Sequence, residues 1–516
     1  MLKKSSYLLL IIIMLVFTIG AFADQFEKPS WWTGYNEDLP KYEVKPGFPH
    51  YDDHARYIGE LSGTWEEMGI QYGERAGDLM RIVFDGYYEE QMGSVGDADL
   101  VLENGRKFAE YLEMFCPEAI EFMRGMAQGA DEELKKSFYQ AGDSFDKVTL
   151  INHYFAVRRS LNTHWEPGDE VMPPEQGEIT VGSTCELNEQ EPVEAMACSG
   201  MVVIGSFDGP TKDRTTIHSG TKDQHFFPQM YQVTYVANPS DPNGHKFWTL
   251  SSAGEIGGQM AGNDKGLTIS GYAGPNALGT VAFGLEWNVG DWVAAALAAD
   301  VEEAVELLTV GRESYREASG YNIVIPAWGI NWLISDPDDA AVVEIIPGRY
   351  AVRRPGDLGE DGFIVNTNHG MADHSYNENN ERTDVPMSAF GPYKKSGSYA
   401  GIDASGGRYW TLWWQIKRNW GNIDADMVMN WYQQHYFIDE EGFRHDYAYQ
   451  DSTGEYIPVS HSPLRYSLCR HVGQSATNTD AKVSVAQDLA FYFTNGRPGE
   501  WVGPWDLISL KYSNFR

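Results

Sequence analysis

The sequence predicts an α+β protein in which layered antiparallel sheets follow a mainly helical region, and three observations predict it. From Tyr57 to about Leu161, apolar residues recur three and four apart, as in Trp65-Glu66-Glu67-Met68-Gly69-Ile70 and Ala119-Ile120-Glu121-Phe122-Met123-Arg124. That spacing places them on one face of a helix. At Cys198 the texture changes to short β-type runs separated by turn formers. Beyond these runs, strands, helices and strands again succeed one another in blocks, the order expected of layered sheets with segregated helices.

The elements follow in order. Residues 1–23 carry Lys3-Lys4, an apolar stretch from Tyr7 to Phe17, and Ala21-Phe22-Ala23 before Asp24. This is the order of a secretory signal peptide. A single membrane anchor is the alternative, but the stretch is short for a span. The expectation is a secreted or periplasmic protein without stable membrane insertion. Residues 24–165 form the mainly helical segment. Residues 166–197 form an acidic, exposed linker, because no Lys or Arg occurs from 160 to 197 while Pro167, Pro173, Pro174 and Pro192 do. Residues 198–516 form the β-rich domain. Its strands are expected at Met201 to Gly205, Thr215 to His218, Tyr231 to Val236, Lys246 to Leu250, Leu267 to Ser270, Ala341 to Ile346 and Gly362 to Val365. Helices are expected at Trp292 to Leu308 and Tyr409 to Trp420.

Composition narrows the function. With 42% hydrophobic and 22% charged residues in 516, the chain is neither disordered nor a disulfide knot, and it can bury a large core. A net charge of −35, with no basic run beyond Lys3-Lys4 and pairs such as Arg353-Arg354, excludes nucleic acid as an expected partner. No H-E-x-x-H, C-x-x-C or Walker-type glycine loop occurs, so neither a metal nor a cofactor is expected. Four cysteines, Cys116, Cys185, Cys198 and Cys469, leave room for at most one intramolecular bridge if one is a working thiol.

That thiol is expected at Cys198, which opens the run Cys198-Ser199-Gly200-Met201-Val202-Val203 directly after the cleavable linker. If the Ala197-Cys198 bond is cut, the new α-amine becomes a base for its own thiol. The two groups titrate near ~8 and ~8.5, so proton transfer between them is nearly balanced at neutral pH. The plainer reading is a small buried hydrophobe that begins a strand. Cys185 leads into more acidic linker, with no strand to hold it.

Further runs appear in order after Cys198-Ser199-Gly200: the turn Asp208-Gly209, Ile217-His218, Thr221-Lys222-Asp223, Gly262-Asn263-Asp264-Lys265-Gly266-Leu267, Asn366-Thr367-Asn368-His369, and Ser405-Gly406-Gly407-Arg408-Tyr409. This order resembles the cysteine N-terminal-nucleophile (Ntn) hydrolases, and looks most like their isopenicillin N acyltransferase-like branch. The segments from Gly63 to Gly73 and from Glu121 to Gly129 are similar to that branch's helical region.

The resemblance implies a four-layer αββα sandwich and self-cleavage between Ala197 and Cys198. It further implies an amidohydrolase or acyltransferase that cleaves a linear amide through a Cys198 thioester. The small-molecule acyl amide and the chain's own N-terminal fragment, retained as a subunit, are the implied partners. Asp223 is implied to hydrogen-bond the nucleophile's amine, Asn368 to stand beside the oxyanion and Arg408 to orient the site. Asn366 takes the place of Asn368 if the register slips. Relatives often carry Arg where this chain has Gly220, and His218 is the expected substitute. A strand histidine near the cysteine is also similar to phospholipase B-like proteins, which makes a lipid acyl hydrolase one alternative. A catalytically silent ligand-binding protein on the same fold is the other. Asn263 is assigned to its turn.

Overall fold

The computed structural model describes residues 55–154, 168, 198–224, 231–258, 260–275, 281, 283–390, 404–450, 456–458, 467–469, 478–494, 505–511 and 514–515. They fall in the unit His50–Arg516. The expected signal segment 1–23, the linker 166–197 apart from Gly168, Cys185 and Ala197 lie outside the described residues.

After strand β1 (Arg56–Gly63) the described residues form helices α1 (Trp65–Val95), α2 (Ala98–Phe115), α3 (Pro117–Gly129), α4 (Asp131–Leu134) and α5 (Ser144–Asn152). Helix α1 begins at a capping box. The Thr64 hydroxyl accepts from the Glu67 N–H at 3.2 Å, and the Glu67 carboxylate accepts from the Thr64 N–H at 2.8 Å. It ends at Gly96 in the left-handed conformation, φ 71°. Helices α1 and α3 meet backbone to backbone. A Cβ at Gly69 would lie 2.1 Å from the Phe122 carbonyl oxygen, and one at Gly125 would lie 2.1 Å from that of Glu66. The glycines at 69, 73, 125 and 129 thus set the helix separation.

The strands that follow are β2 (Cys198–Val203), β3 (Ile217–Gln224), β4 (Gln232–Pro239), β5 (Phe247–Ser252), β6 (Met260–Asn263) and β7 (Thr268–Ala273). Helices α6 (Trp287–Leu297), α7 (Val301–Thr309) and α8 (Glu313–Ser319) come next. Strands β8 (Ile330–Ser335), β9 (Ala340–Ile346), β10 (Arg349–Arg353), β11 (Phe363–Asn366), β12 (Ser375–Asn377) and β13 (Arg382–Thr383) precede helices α9 (Ala404–Arg418) and α10 (Ala425–Tyr432). Two small ribbons, β14 (Phe437–Ile438) with β15 (Arg444–His445) and β16 (Tyr447–Gln450) with β17 (Tyr456–Pro458), lead to β18 (Asn478–Val485), β19 (Ala490–Phe493), β20 (Asp506–Ser509) and β21 (Asn514–Phe515).

One sheet has ten strands in the order β1-β4-β5-β6-β7-β8-β9-β10-β12-β13, and the other has seven in the order β11-β2-β3-β18-β19-β20-β21. Alternation along the strands sorts their side chains. In β2, Met201 and Val203 pack with Leu412, Ile416 and Tyr432 of α9 and α10, whereas Cys198 and Val202 pack with Tyr272, Leu333 and Val342 of the opposite sheet. The other face of the ten-stranded sheet, including Tyr235, Phe247 and Trp332, shares a core with α1–α8. Helices therefore cover the outer faces, and the two sheets face each other.

Three features differ from the sequence expectations. Arg56–Gly63, expected within the helical run, is a strand paired in parallel with β4, whereas the other pairs of the two large sheets among the described residues are antiparallel. A bulge between Tyr57 and Glu60, with Gly59 at φ 91°, breaks its two-residue period, so Ile58 and Leu61 fall three apart as on a helix. The single helix expected from Trp292 to Leu308 is two, because Asp300 caps a new helix by accepting from the Glu303 N–H at 2.9 Å. Strands β18 to β21 at the C-terminus were not anticipated.

Candidate active site

Cys198 is the first residue of β2, which lies between β3 and β11. On one side Cys198 pairs with Lys222 and Gly200 with Gly220; on the other, Gly200 pairs with Asn366. The end of β11 therefore brings the turn at Asn368 beside the start of β2. Arg408 reaches the same place from the first turn of α9.

These residues close a small network on the backbone of the cysteine. The Cys198 N–H donates to Asn368 Oδ1 at 2.8 Å, and Arg408 Nη2 donates to the same oxygen at 2.8 Å. Arg408 Nη1 donates to the Cys198 carbonyl, and to Ser199 Oγ at 2.9 Å. Asn368 Nδ2 is turned away and donates to the Ala273 carbonyl at 2.9 Å. In this arrangement Asn368 is an acceptor for the nucleophile's nitrogen, and its own donor is engaged elsewhere. The Asn368 backbone N–H donates to Ser405 Oγ at 3.0 Å, and Ser405 lies 2.7 Å from His369 Nδ1.

The Cys198 side chain points between the sheets, and the residue is 2% exposed. Burial pushes its thiol up, the Asp223 carboxylate adds to this, and Arg408 and Lys222 oppose it; the Asp223 backbone N–H also donates to the sulfur. Asp223 is itself buried, one residue beyond the partner of Cys198.

The structure brings Cys198, Asp223, Asn368 and Arg408 together but not His218. His218 pairs with Val202, four residues along β3 from the partner of Cys198 and so roughly 13 Å away. Both ring nitrogens are engaged, Nδ1 with Ser335 Oγ at 2.9 Å and Nε2 with Ser270 Oγ at 2.7 Å. Burial lowers its pKa to about 3, so the ring is neutral. The expectation that His218 acts on the thiol is corrected accordingly. Asn366 pairs within the sheet and accepts from Asn331 Nδ2 at 3.4 Å. Asn263 serves its turn, accepting from the Lys265 N–H at 3.0 Å and donating to Ala298 at 2.7 Å.

Two features of the site escaped the sequence reading. The Tyr272 hydroxyl lies over the Gly200–Gly220 pair, within 2.4 Å of where a Cβ at Gly220 would be. It is 2.7 Å from Ser270 Oγ, which links it to His218. The phenol therefore stands where a larger residue at 220 would project. The second feature is the buried Arg353, whose Nη1 donates to Glu360 at 2.7 Å and Nη2 to the Val365 carbonyl at 2.6 Å. Glu344, 3.5 Å from Arg353 Nε, accepts from the backbone N–H groups of Met371 and Ala372 at 2.9 and 3.0 Å. Together they brace the chain on both sides of Asn368. The sequence signal was polar residues at buried strand positions: Ser270 and Tyr272, two apart, share one face of β7, and Arg353 ends β10 as a buried arginine.

No family model and no curated protein matches the sequence. Among solved structures, the chain matches a Caenorhabditis elegans N-acylethanolamine-hydrolyzing acid amidase ortholog, with 11% identity over 58% of this chain and 93% of that chain and a TM-score of 0.29. It also matches the conjugated bile acid hydrolase of Clostridium perfringens in two structures. In the first the identity is 12% over 61% of this chain and 93% of the other, with a TM-score of 0.31. In the second it is 12% over 61% and 94%, with a TM-score of 0.30.

Among the described residues, no group of three or more His, Cys, Asp and Glu side chains is placed to hold a metal ion. No described helix is long and apolar enough to cross a membrane. Cys116, Cys198 and Cys469 are buried, and none is bridged to another.

Proposed function

We propose that the protein is an exported, self-processing amidohydrolase or acyltransferase of the cysteine Ntn class, with Cys198 as nucleophile and a linear acyl amide as substrate. One observation carries the reading: the backbone nitrogen of Cys198, the atom that must become the catalytic base, is held by Asn368, which Arg408 orients. The sheet-on-sheet core with helices outside is read as the αββα sandwich of that class.

In maturation, Cys198 Sγ attacks the Ala197 carbonyl. The C–N bond breaks in favour of a thioester, and water hydrolyses it, freeing the thiol and the α-amine. In turnover, the amine accepts the thiol proton as Sγ adds to the substrate carbonyl. The ammonium then returns that proton to the leaving nitrogen, and water or an acceptor amine resolves the thioester. Asn368 and Asp223 hold the amine, and Arg408 fixes the Cys198 carbonyl, so the sulfur and nitrogen keep the geometry for proton transfer. The segment ahead of Cys198 stays bound as a subunit, because α1–α5 share the core of the ten-stranded sheet.

The deep burial of the thiol favours a second reading, a silent ligand-binding protein on the same fold. Intact mass and N-terminal sequencing of wild type beside Cys198→Ala separate the two. The enzyme reading expects a wild-type fragment beginning at Cys198 and an uncut variant. Uncut chains in both, or no turnover of an acyl-amide panel by the processed form, count against it.

A further inference from the structure

We propose that Lys222 is a positioning residue for the Cys198 thiol, a buried ammonium that favours the thiolate from the face on which the sulfur lies. This rests on Cys198 being the nucleophile, and adds the charge that tunes it. Lys222 and Cys198 are direct partners across the antiparallel β2–β3 pair. Such partners have Cβ atoms about 4.5–5.5 Å apart on one face of the sheet. Arg408, the other cation of the site, spends its guanidinium on the Cys198 carbonyl, Ser199 and Asn368. Lys222 therefore faces the inter-sheet space directly opposite Cys198, and Lys482, the partner of Gly220, is the next cation along that face.

Its surroundings are built to keep a charge there. Lys222 is 3% exposed, and its Nζ lies 4.0 Å from the centroid of the Trp287 ring. Two fully buried carboxylates, Glu255 from the loop after β5 and Asp291 from α6, interact with it electrostatically. Burial raises the pKa of both, and Lys222 opposes the rise in each. Glu255 is anchored by the Tyr87 hydroxyl at 2.9 Å and the Ser252 N–H at 3.3 Å. Asp291 accepts from the Gly271 N–H at 3.1 Å, and Lys482 of β18 acts on it from the other sheet. Around the thiol itself, Asp223 opposes the thiolate, Arg408 and Lys222 favour it, and the Tyr272 phenol is electrostatically coupled to it. Tyr87 belongs to α1, so the N-terminal helices anchor the Glu255 carboxylate.

The test is a pH titration of thiolate ultraviolet absorbance on the purified full-length gene product, each protein measured as a difference against its own Cys198→Ala counterpart. Wild type, Lys222→Arg, Lys222→Met and the double variant Lys222→Met with Glu255→Gln are compared, the last removing the carboxylate that the first loss strands. The Cys198 midpoint is expected to rise by about one pH unit in both Met variants and to return toward wild type in Lys222→Arg. Superimposable titrations of wild type and a folded Met variant, judged by circular dichroism, overturn the proposal. Should Lys222→Met fail to fold, the double variant decides by the same criterion. The readout needs neither chain scission nor turnover, so failure of the self-processing reading shows separately in the mass of wild type.

Discussion

The Tyr272 hydroxyl occupies the volume that a side chain at Gly220 would need, 2.4 Å from where its Cβ would sit. At the cross-strand partner Gly200 the separation would be 2.1 Å. Two paired strands are thus reduced to bare backbone so that a phenol from the facing sheet can enter beside the nucleophile. Gly220→Ala is expected to cost about 1–3 kcal/mol, with part recovered in a Tyr272→Phe background. Denaturant melts of the double-mutant cycle check this, and a coupling energy near zero rules the contact out.

Asn368 and Arg408 act as one unit on the Cys198 backbone. Asn368→Ala leaves Arg408 without its Oδ1 acceptor, whereas Asn368→Asp keeps an acceptor for both the Cys198 N–H and the guanidinium. Scission and turnover are expected to fall by about 10²-fold or more in Asn368→Ala and in Arg408→Met, and less in Asn368→Asp. Time courses of chain cleavage rank the three. Equal rates in all would show that the network does not orient the reaction.

His218 makes stability depend on pH. Its pKa is 6.5 as a free group and about 3 in the fold, so between those values the unfolded chain binds a proton that the native state does not. Its contribution to stability is complete above pH 6.5 and declines as pH falls, by up to about 1.4 kcal/mol per unit. His218→Gln, which retains polar groups for Ser270 and Ser335, is expected to flatten this slope. Chemical denaturation at pH 7 and pH 5 measures it, and parallel losses in wild type and variant contradict the assignment.

The glycines between α1 and α3 allow no side chain. Gly125→Val drives a branched group into the Glu66 carbonyl and is expected to destabilise by more than about 3 kcal/mol, whereas Gly93→Ala, with nothing near its Cβ, changes little or stabilises. Thermal melts distinguish them, and a Gly125→Val protein as stable as wild type refutes the close packing.

What was legible in the sequence was what local pattern encodes. The runs around Val202, Val233, Thr249, Ile269 and Val343 announce strands because β-branched and aromatic residues fill buried pleats. Cys198 is conspicuous because a polar linker gives way to a buried strand at that residue. Arg56–Gly63 was misread because one bulge shifts its period. Trp292 to Leu308 was misread because Asp300 restarts a helix without a glycine or proline to mark the break. The roles of Tyr272, Lys222 and Arg353 depend on which strands become neighbours, and pairings such as β7 facing β2 leave no trace in residues close along the chain.

Strand β1 hydrogen-bonds to β4, and α1–α5 bury the outer face of the ten-stranded sheet. A gene truncated to begin at codon 198 would therefore yield a polypeptide with part of that face bare, only α6–α8 remaining on it, and one sheet edge open, a template for aggregation. Recovery of soluble material would require residues 55–154 to be supplied alongside it, as the missing half of a split protein.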